Sequence, residues 1–163
     1  MVGHWNGLKI FQIRIKMKEK KKSKVFILGP IAPNFISDSI AKHISNKEIG
    51  AHDIFLGQVR KDVLGNNIVQ AIEYSTYEEM AEVKFYEIRE AAFAKFEIIC
   101  MHIYHSIGIV NAGEICFFVF VSAKHRNMAF EACRFIVDQV KVSVPIWGKE
   151  IFEDKNFIWK ENI

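Results

Sequence analysis

The sequence predicts an α+β fold, in which a mixed, largely antiparallel sheet is packed by two main helices. Segments with strand composition and segments with a helical period follow one another without the strict alternation that produces an all-parallel sheet. Residues 114–122 read EICFFVFVS, so apolar a run that a central strand covered on both faces is expected. With 163 residues, half of them hydrophobic, the chain is long enough to bury one core.

Turn residues divide the first part of the body into short elements. Ser37 or Asp38 can cap a short helix that carries Ile40 and Ile44 on one face. Gly-Pro and Gly-Asn pairs are typical of turns and separate the apolar runs. Predicted strands therefore cover residues 25–29, 49–60 and 68–75, with a loop over residues 61–67.

A longer helix is predicted from Thr76 to about Phe96. The segment has the spacing of a capping box, in which the Thr76 hydroxyl accepts from the Glu79 N–H and the Glu79 carboxylate reaches back. Apolar residues recur at helical spacing along this segment. The predicted core-facing residues are Met80, Val83, Ile88, Ala91 and Ala92.

The last part of the chain is predicted to contain two strands, one helix and two short extended pieces. A strand over Ile98–Tyr104 precedes turns at Gly108 and residues 111–113, and the apolar central strand follows. A helix from about Arg126 to Val142 cannot continue through Pro145. The extended pieces are Glu150–Phe152 and Phe157–Lys160.

Charge divides the chain at residue 24. Residues 1–24 carry eight basic side chains against one acidic side chain, whereas the rest carries 14 basic and 18 acidic ones. We therefore predict a basic, disordered extension over residues 1–24 and a single, mildly acidic domain over residues 25–163. Such a tail can contact nucleic acid through phosphates. Nucleic-acid binding is nevertheless the least favoured hypothesis, because the body shows no basic or stacking face.

Several common classes of protein are disfavoured. No apolar run reaches the roughly 18 to 20 residues of a membrane span, and no secretory signal is visible. The three cysteines lack CxxC spacing, so we expect buried thiols in a cytoplasmic protein rather than disulfides or a zinc site. His102 and His105 would point to opposite faces of a strand, which disfavours a metal pair. Motifs of nucleotide-binding, zinc-protease and serine-hydrolase sites are absent.

Cationic side chains gather instead at the ends of predicted elements, at Arg60, His125, Arg126, Lys141 and Lys149. Each is compatible with a solvated end charge, and the helix dipole favours Lys141 near a helix C-terminus. Arg126 at a helix N-terminus is mildly unfavourable, which indicates that something anionic compensates it. The cations together predict a pocket for an anionic substrate.

Four short motifs occur in order along the body. They are F-x-G-x-V-R at 55–60, G-x-x-x-x-G-E at 108–114, S-x-x-H-R at 122–126 and D-x-x-K-x-x-x-P-x-W at 138–147. Each is weak alone, but together they are specific. From about Ile49 to Lys160 the chain resembles the large, catalytic subunit of molybdopterin synthase.

The resemblance implies a hammerhead-like form of the α+β fold and a sulfur-transfer reaction. In that family, a small ubiquitin-like subunit delivers sulfur as a thiocarboxylate on its Gly-Gly tail, and cyclic pyranopterin monophosphate accepts it. The resemblance further implies a homodimer that carries two small subunits, and neither a cofactor nor a metal. A non-catalytic module that only binds the sulfur carrier is the alternative.

The resemblance also assigns site residues by position. Lys141 matches the catalytic lysine of the family. Gly148 stands where the family often has a second lysine, so Lys149 is the expected assistant, and all three positions are expected to contact substrate. The remaining candidate substrate-binding positions are Gln58, Val59, Arg60, His125, Arg126 and Glu150.

Helix geometry adds an expectation about assembly. His125 and Lys141 lie 16 residues apart in the sequence, which is about 24 Å along a continuous helix. One pterin cannot reach both residues within a protomer. We therefore predict that the active site straddles a homodimer interface.

Overall fold

The structure, a computed structural model, describes residues 25–160, so the basic extension predicted for residues 1–24 lies outside the described residues. Its helices are α1 Pro33–Ala41, α2 Glu78–Lys95 and α3 Arg126–Ser143. Its strands are β1 Phe26–Leu28, β2 Ala51–Gln58, β3 Val63–Leu64, β4 Asn67–Thr76, β5 Ile98–Asn111, β6 Ile115–Ala123, β7 Ile146–Phe152 and β8 Phe157–Trp159. None of these helices is long and apolar enough to cross a membrane.

The strands form one sheet in the order β2-β6-β5-β4-β7-β8, with β1 added to β5 and β3 added to β4. β1 and β5 pair in parallel, and the other pairs are antiparallel. The predicted α+β class and largely antiparallel sheet are therefore confirmed. Among the differences from the prediction, β3 lies inside the predicted loop, and β7 begins at Ile146 rather than Glu150.

β6 is the central strand that the apolar run predicts. It is hydrogen-bonded to β2 on one side and to β5 on the other, and eight of its nine residues are buried. Successive side chains alternate between the two faces of a sheet. Phe117, Val119 and Val121 accordingly pack into one core, while Phe118 and Phe120 pack into the other.

Helices cover both faces of this sheet. α2 and α3 share the face of Phe117, and their residues in this larger core are Ala81, Phe85, Ile88, Ala92, Ala129, Ala132, Cys133, Ile136 and Val140. α1 covers the opposite face, where Phe35, Ile36 and Ile40 pack near Phe118. The sheet therefore separates two regions in which side chains can meet.

The start of α1 differs from the prediction. Pro33 is its first residue and follows Ala32 at the N-cap. The predicted caps, Ser37 and Asp38, lie inside the helix. Proline has its φ angle preset for a first turn and has no N–H to leave unpaired, so it can begin a helix without a side-chain cap. Ile44 lies in the turn beyond α1 and is exposed.

The capping box predicted for α2 is wrong. Tyr77 is the N-cap residue, and it makes no side-chain cap. Thr76 ends β4 instead, and its hydroxyl donates to the Pro145 carbonyl oxygen at 2.8 Å. Strand pairing decides this outcome, because Thr76 pairs with Ile146 of β7 and is held in extended backbone.

The buried face of α2 agrees with the prediction at Ile88 and Ala92 and differs from it elsewhere. Its buried residues are Ala81, Phe85, Ile88 and Ala92, which recur at helical spacing. Met80, predicted to face the core, is 51% exposed. Apolar residues occur on more than one side of this helix, so its sequence pattern alone does not select the face that packs.

β5 is longer than predicted, because it pairs with β6 and then, beyond the residues that pair with β1, with β4. Its first part pairs with β6 from Ile98 to His105, and its last part pairs with β4 from Gly108 to Asn111. Gly108 lies within the strand at φ 78°, a conformation that glycine adopts readily. The turn predicted at Gly108 is therefore wrong, and the chain reverses at residues 112–114.

Candidate active site

Lys141 lies in the last turn of α3, and its side chain reaches back over the sheet. Its Nζ is 5.6 Å from the centre of the Phe117 ring, which is fully buried on β6. α3 runs unbroken to Ser143 and ends before Pro145. Although Lys141 as a whole is exposed, its ammonium group therefore lies against a buried aromatic ring.

The surroundings of Lys141 lower the pKa of its amine. Burial is the largest cause, and the charge of Lys160 lowers the pKa further. The Cys116 thiol acts in the opposite direction without cancelling these effects. A lowered pKa increases the fraction of neutral amine, which is the form that accepts a proton or acts as a nucleophile.

Two further polar side chains, His105 and Tyr74, lie close to this ring and thiol. The ring centres of His105 and Phe117 are 5.3 Å apart, and His105 Nδ1 donates to the Ser106 carbonyl oxygen at 2.8 Å. Burial lowers the pKa of His105 to about 4, so the ring is neutral near pH 7. The Tyr74 hydroxyl donates to the Cys116 sulfur at 3.3 Å, and burial raises the pKa of Tyr74.

The three cysteines of the chain are poor nucleophiles. Burial is the largest cause that raises the pKa of the thiols of Cys100, Cys116 and Cys133, to about 12 at Cys133. The reactive form of cysteine is the thiolate, and a raised pKa disfavours it. None of these cysteines is therefore activated as a nucleophile. A lysine rather than a cysteine is the candidate for chemistry.

Lys160 lies beside Gly148 and brings a second cation to the Lys141 site. The Lys160 N–H donates to the Gly148 carbonyl oxygen at 2.8 Å, and a Cβ added to Gly148 would lie 3.6 Å from the Lys160 Cβ. Its ammonium pairs at 2.8 Å with Glu150, a carboxylate that is itself buried. Because Lys160 also lowers the pKa of Lys141, the two charges act on one site.

Lys149 lies on the other side of β7. Gly148 and Glu150 are buried on the side of Lys141, and side chains alternate along a strand, so Lys149 points the other way. There its ammonium pairs with Glu73 of β4. The structure therefore does not bring Lys149 together with Lys141 in one protomer, contrary to the expectation that it acts as the assistant.

The residues at the end of β2 differ in what they offer a ligand. Val59 is 2% exposed and belongs to the core, and its N–H donates to the Glu114 carbonyl oxygen at 3.0 Å. Gln58 is exposed, and Arg60 pairs with Asp62 at 3.2 Å on the surface. Gln58 and Arg60 are available to a ligand, whereas the Val59 side chain is not.

His125 and Arg126 lie at the opposite end of α3 from Lys141. His125 is the N-cap residue of α3, and both side chains are exposed. Since the helix is continuous, their distance from Lys141 is about 24 Å along its axis. Of the predicted cations, Lys141 thus lies at one end of α3, and His125 and Arg126 lie at the other.

The sequence carries little signal for two residues of this site. Lys160 reaches Gly148 only because β8 folds back onto β7, and the predicted extended piece 157–160 does not indicate that pairing. His105 stands out only as a polar residue within an apolar strand. Its place beside Phe117 depends on the register of β5 with β6.

Fold and site together define an α+β enzyme subunit in which a lysine, rather than a cysteine, is the candidate reactive group. A sequence profile described as MoaE protein matches residues 32–143, more than half of the chain. The molybdopterin synthase catalytic subunit of Pyrococcus abyssi is 41% identical over 140 residues, covering 86% of this chain and 93% of that protein. That of Bos taurus is 30% identical over 146 residues, covering 90% and 77%. The chain belongs to the MoaE family, the catalytic subunits of molybdopterin synthase.

Solved structures agree with this membership. The crystal structure of molybdopterin synthase from Staphylococcus aureus has a TM-score of 0.75 at 30% identity, covering 87% of this chain and 99% of that chain. A chain in the complex of subunits 1 and 2 of molybdopterin-converting factor from Helicobacter pylori has a TM-score of 0.71 at 23% identity, covering 83% and 88%. The second likeness concerns the fold alone. The predicted family and enzyme class are confirmed.

Proposed function

We propose that this chain transfers sulfur to cyclic pyranopterin monophosphate to form the dithiolene of molybdopterin. The sulfur arrives as the thiocarboxylate at the C-terminus of a small ubiquitin-like partner. Membership of the MoaE family supports the reaction class. The observation that carries the proposal is the Lys141 amine of lowered pKa beside a protonated thiol. Such a site can transfer protons and bind anions, but it has no activated cysteine of its own.

Lys141 is the proposed catalytic residue. Its lowered pKa favours a neutral amine that can accept a proton or form a transient covalent bond. Phe117 offers this amine an apolar surface, and the neutral His105 does not compete for the proton near pH 7. Both neighbours therefore support a role for Lys141 in proton transfer.

Lys160 is the proposed anion-binding residue of the same site. The phosphate of the substrate and the thiocarboxylate of the donor are both anions, and a lysine ammonium suits either as a point charge. Glu150 accepts one of its three N–H groups, which leaves donors for a ligand. The alternative of a non-catalytic module rested on the lysine missing at Gly148, and Lys160 removes that reason.

Two protein partners belong to the proposal. The Helicobacter pylori structure contains two subunits of molybdopterin-converting factor, which supports a small-subunit partner for this chain. A second copy of this chain is the other proposed partner, and the separation of about 24 Å between Lys141 and the pair His125 and Arg126 supports it. The two groups of cations can serve one substrate when they come from different protomers.

The test is reconstitution of product formation from the full chain, the thiocarboxylated small subunit and the pterin substrate. We expect Lys141→Ala to fold and to bind the small subunit but to lose roughly 100-fold or more in product formation, as removal of a proton-transfer group does. Lys141→Arg is the matched control, because its guanidinium keeps the charge but does not become neutral. We expect it to be as inactive as Lys141→Ala.

The outcomes separate the parts of the proposal. Near wild-type turnover by Lys141→Ala would remove Lys141 from the mechanism. Substantial turnover by Lys141→Arg would show that positive charge suffices and that no neutral amine is needed. A wild-type chain that binds the small subunit but forms no product would overturn the sulfur-transfer function.

A further inference from the structure

Three side chains on the α1 face of the sheet bring their ligand atoms to one point. His43 Nε2 lies 3.1 Å from the Cys100 sulfur, and His102 Nε2 lies 3.1 Å from the same sulfur. The two Nε2 atoms are 3.2 Å apart, so the three atoms form a nearly equilateral triangle. All three residues are half-buried.

The fold explains how these residues meet. Cys100 and His102 are two positions apart on β5, so their side chains leave the same face of the sheet. His43 lies in the turn after α1, the helix that packs on this face near Phe118 and Phe120. The triangle thus joins a helix end to a strand 57 residues further along the chain.

Hydrogen bonding orients the His43 ring. Its Nδ1 lies 2.7 Å from the Ser39 carbonyl oxygen, which can only accept, so Nδ1 carries the hydrogen. In the neutral ring, Nε2 then directs its lone pair towards Cys100 and His102. Metal-binding histidines are typically held in this way, with the other ring nitrogen donating to a carbonyl or a carboxylate.

Hydrogen bonds alone do not satisfy the triangle. Three contacts of 3.1–3.2 Å join its atoms. Since His43 Nε2 has no hydrogen in the neutral ring, only the Cys100 thiol and His102 Nε2 can donate, each along one direction. At most two of the three contacts can therefore be hydrogen bonds, and at least one joins two atoms with no hydrogen directed between them. A cation at the centre would satisfy all three atoms at once.

We propose that His43, Cys100 and His102 bind a zinc ion. Two imidazoles and a thiolate are a donor set that zinc favours, and tetrahedral Zn–N and Zn–S bonds place such atoms about 3.3–3.6 Å apart. The observed separations are slightly shorter, so the site needs only a small outward movement to close around the ion. Water takes the fourth coordination position.

The zinc site is distinct from the site of sulfur transfer. Lys141 lies over Phe117, which packs in the core beneath α2 and α3, whereas His102 lies against Phe120 on the α1 face. The ion joins the turn after α1 to β5 and so holds this helix against the sheet. A ligand that binds the folded state stabilises it, so zinc raises the stability of the fold.

The test uses the full chain, purified without a histidine tag and stripped of metal. We expect one zinc ion per chain in competition with a chromophoric chelator, and a higher melting temperature with zinc than without. Cobalt(II) in place of zinc should show a thiolate charge-transfer band in the wild-type chain. Cys100→Ala should abolish that band, and both Cys100→Ala and His43→Ala should weaken zinc binding by roughly 100-fold or more.

Cys133→Ala and His52→Ala are the matched controls. Cys133 is a buried thiol of α3, and the centre of the His52 ring lies 6.4 Å from that of His43 while its Nδ1 lies 2.8 Å from Ser122 Oγ. Both variants should keep one zinc ion per chain. Zinc binding no tighter in the wild type than in Cys100→Ala would overturn the proposal, as would a wild-type cobalt complex without the thiolate band. Loss of zinc from His52→Ala would overturn the three-residue donor set.

Discussion

We propose that Lys160, which lies beside Gly148, supplies the charge that the resemblance leads us to expect directly after the tryptophan. A Cβ added to Gly148 would lie 3.1 Å from Ile72 Cγ2, so this position has little room for a longer side chain. Lys160, the residue after β8, brings an ammonium group to the same region and anchors it on Glu150. In this proposal, a lysine distant in sequence takes the place of the one expected on β7.

We expect Lys160→Ala to impair the enzyme and Lys149→Ala to leave it near the wild-type rate. A charged hydrogen bond to a bound anion contributes about 1.5–3 kcal/mol, so loss of Lys160 should lower kcat/KM by roughly 10- to 100-fold. Lys149 pairs with Glu73 on the other side of β7 and serves as the matched control. Steady-state kinetics in the reconstituted reaction measure both variants.

A second comparison separates chemistry from folding. Lys160→Ala leaves the buried Glu150 carboxylate without its ion-pair partner, which by itself destabilises the fold. Adding Glu150→Gln should restore the melting temperature but not the turnover. Full recovery of turnover in the double variant, or equal impairment by Lys149→Ala, would refute the assignment of Lys160.

Among the elements, α3, β4 and β7 together position the candidate active site. Thr76 at the end of β4 donates to the carbonyl oxygen of Pro145, which lies in the connection between α3 and β7. Lys141 precedes this connection and Gly148 follows it, so one hydrogen bond steadies the segment between two residues of the site. Sheet pairing, rather than helix capping, therefore decides the role of Thr76.

Thr76→Val should lower the free energy of unfolding by about 0.5–1.5 kcal/mol, because it removes one partly buried hydrogen bond at nearly constant volume. Ser37→Ala is the control, since the Ser37 hydroxyl donates to the Asn34 carbonyl oxygen on the exposed surface of α1. Its removal should change the stability little. Urea denaturation measures both, and an equal effect of the two substitutions would show that Thr76 does not steady the connection.

In the molecule as a whole, the positions of the candidate functional groups depend on the length of α3 and on which face of the sheet they occupy. α3 holds cations about 24 Å apart at its two ends. The sheet holds Lys141 over one face and the proposed zinc ligands on the other. We therefore propose that one protomer carries half of each of two substrate sites, with the proposed zinc site on the other face of its sheet.

This arrangement predicts complementation between inactive variants. Lys141→Ala and the double variant His125→Ala, Arg126→Ala should each be inactive alone. After subunit exchange, half of the dimers are mixed, and one of the two sites in each mixed dimer is intact. Equal mixing should therefore restore about a quarter of the wild-type activity, because a two-fold interface pairs each residue with its counterpart from the other protomer. No recovery after demonstrated exchange would contradict a site shared between protomers.

Features with a local sequence signal agree with the prediction, whereas two predicted features are wrong because strand pairing decides them. The apolar run of β6, the helical period of α3 and the proline that follows it are properties of neighbouring residues, and each was confirmed. The predictions for Thr76 and Gly108 are wrong because both residues lie in strands, although their types usually begin a helix or form a turn. Pairing with distant strands overrides those local preferences.

The sequence by itself determined the α+β class, the central strand, and the place of Lys141 at the end of a helix. Composition, periodicity and helix stop signals are enough for these features, because they depend on residues close together in the chain. Only the tertiary structure decided that Lys160 rather than Lys149 accompanies Lys141, and that His43 meets two residues of β5. The direction of a strand side chain depends on strand register, and the contact between His43 and β5 depends on packing between elements that are distant in the sequence. A local sequence pattern therefore predicts neither.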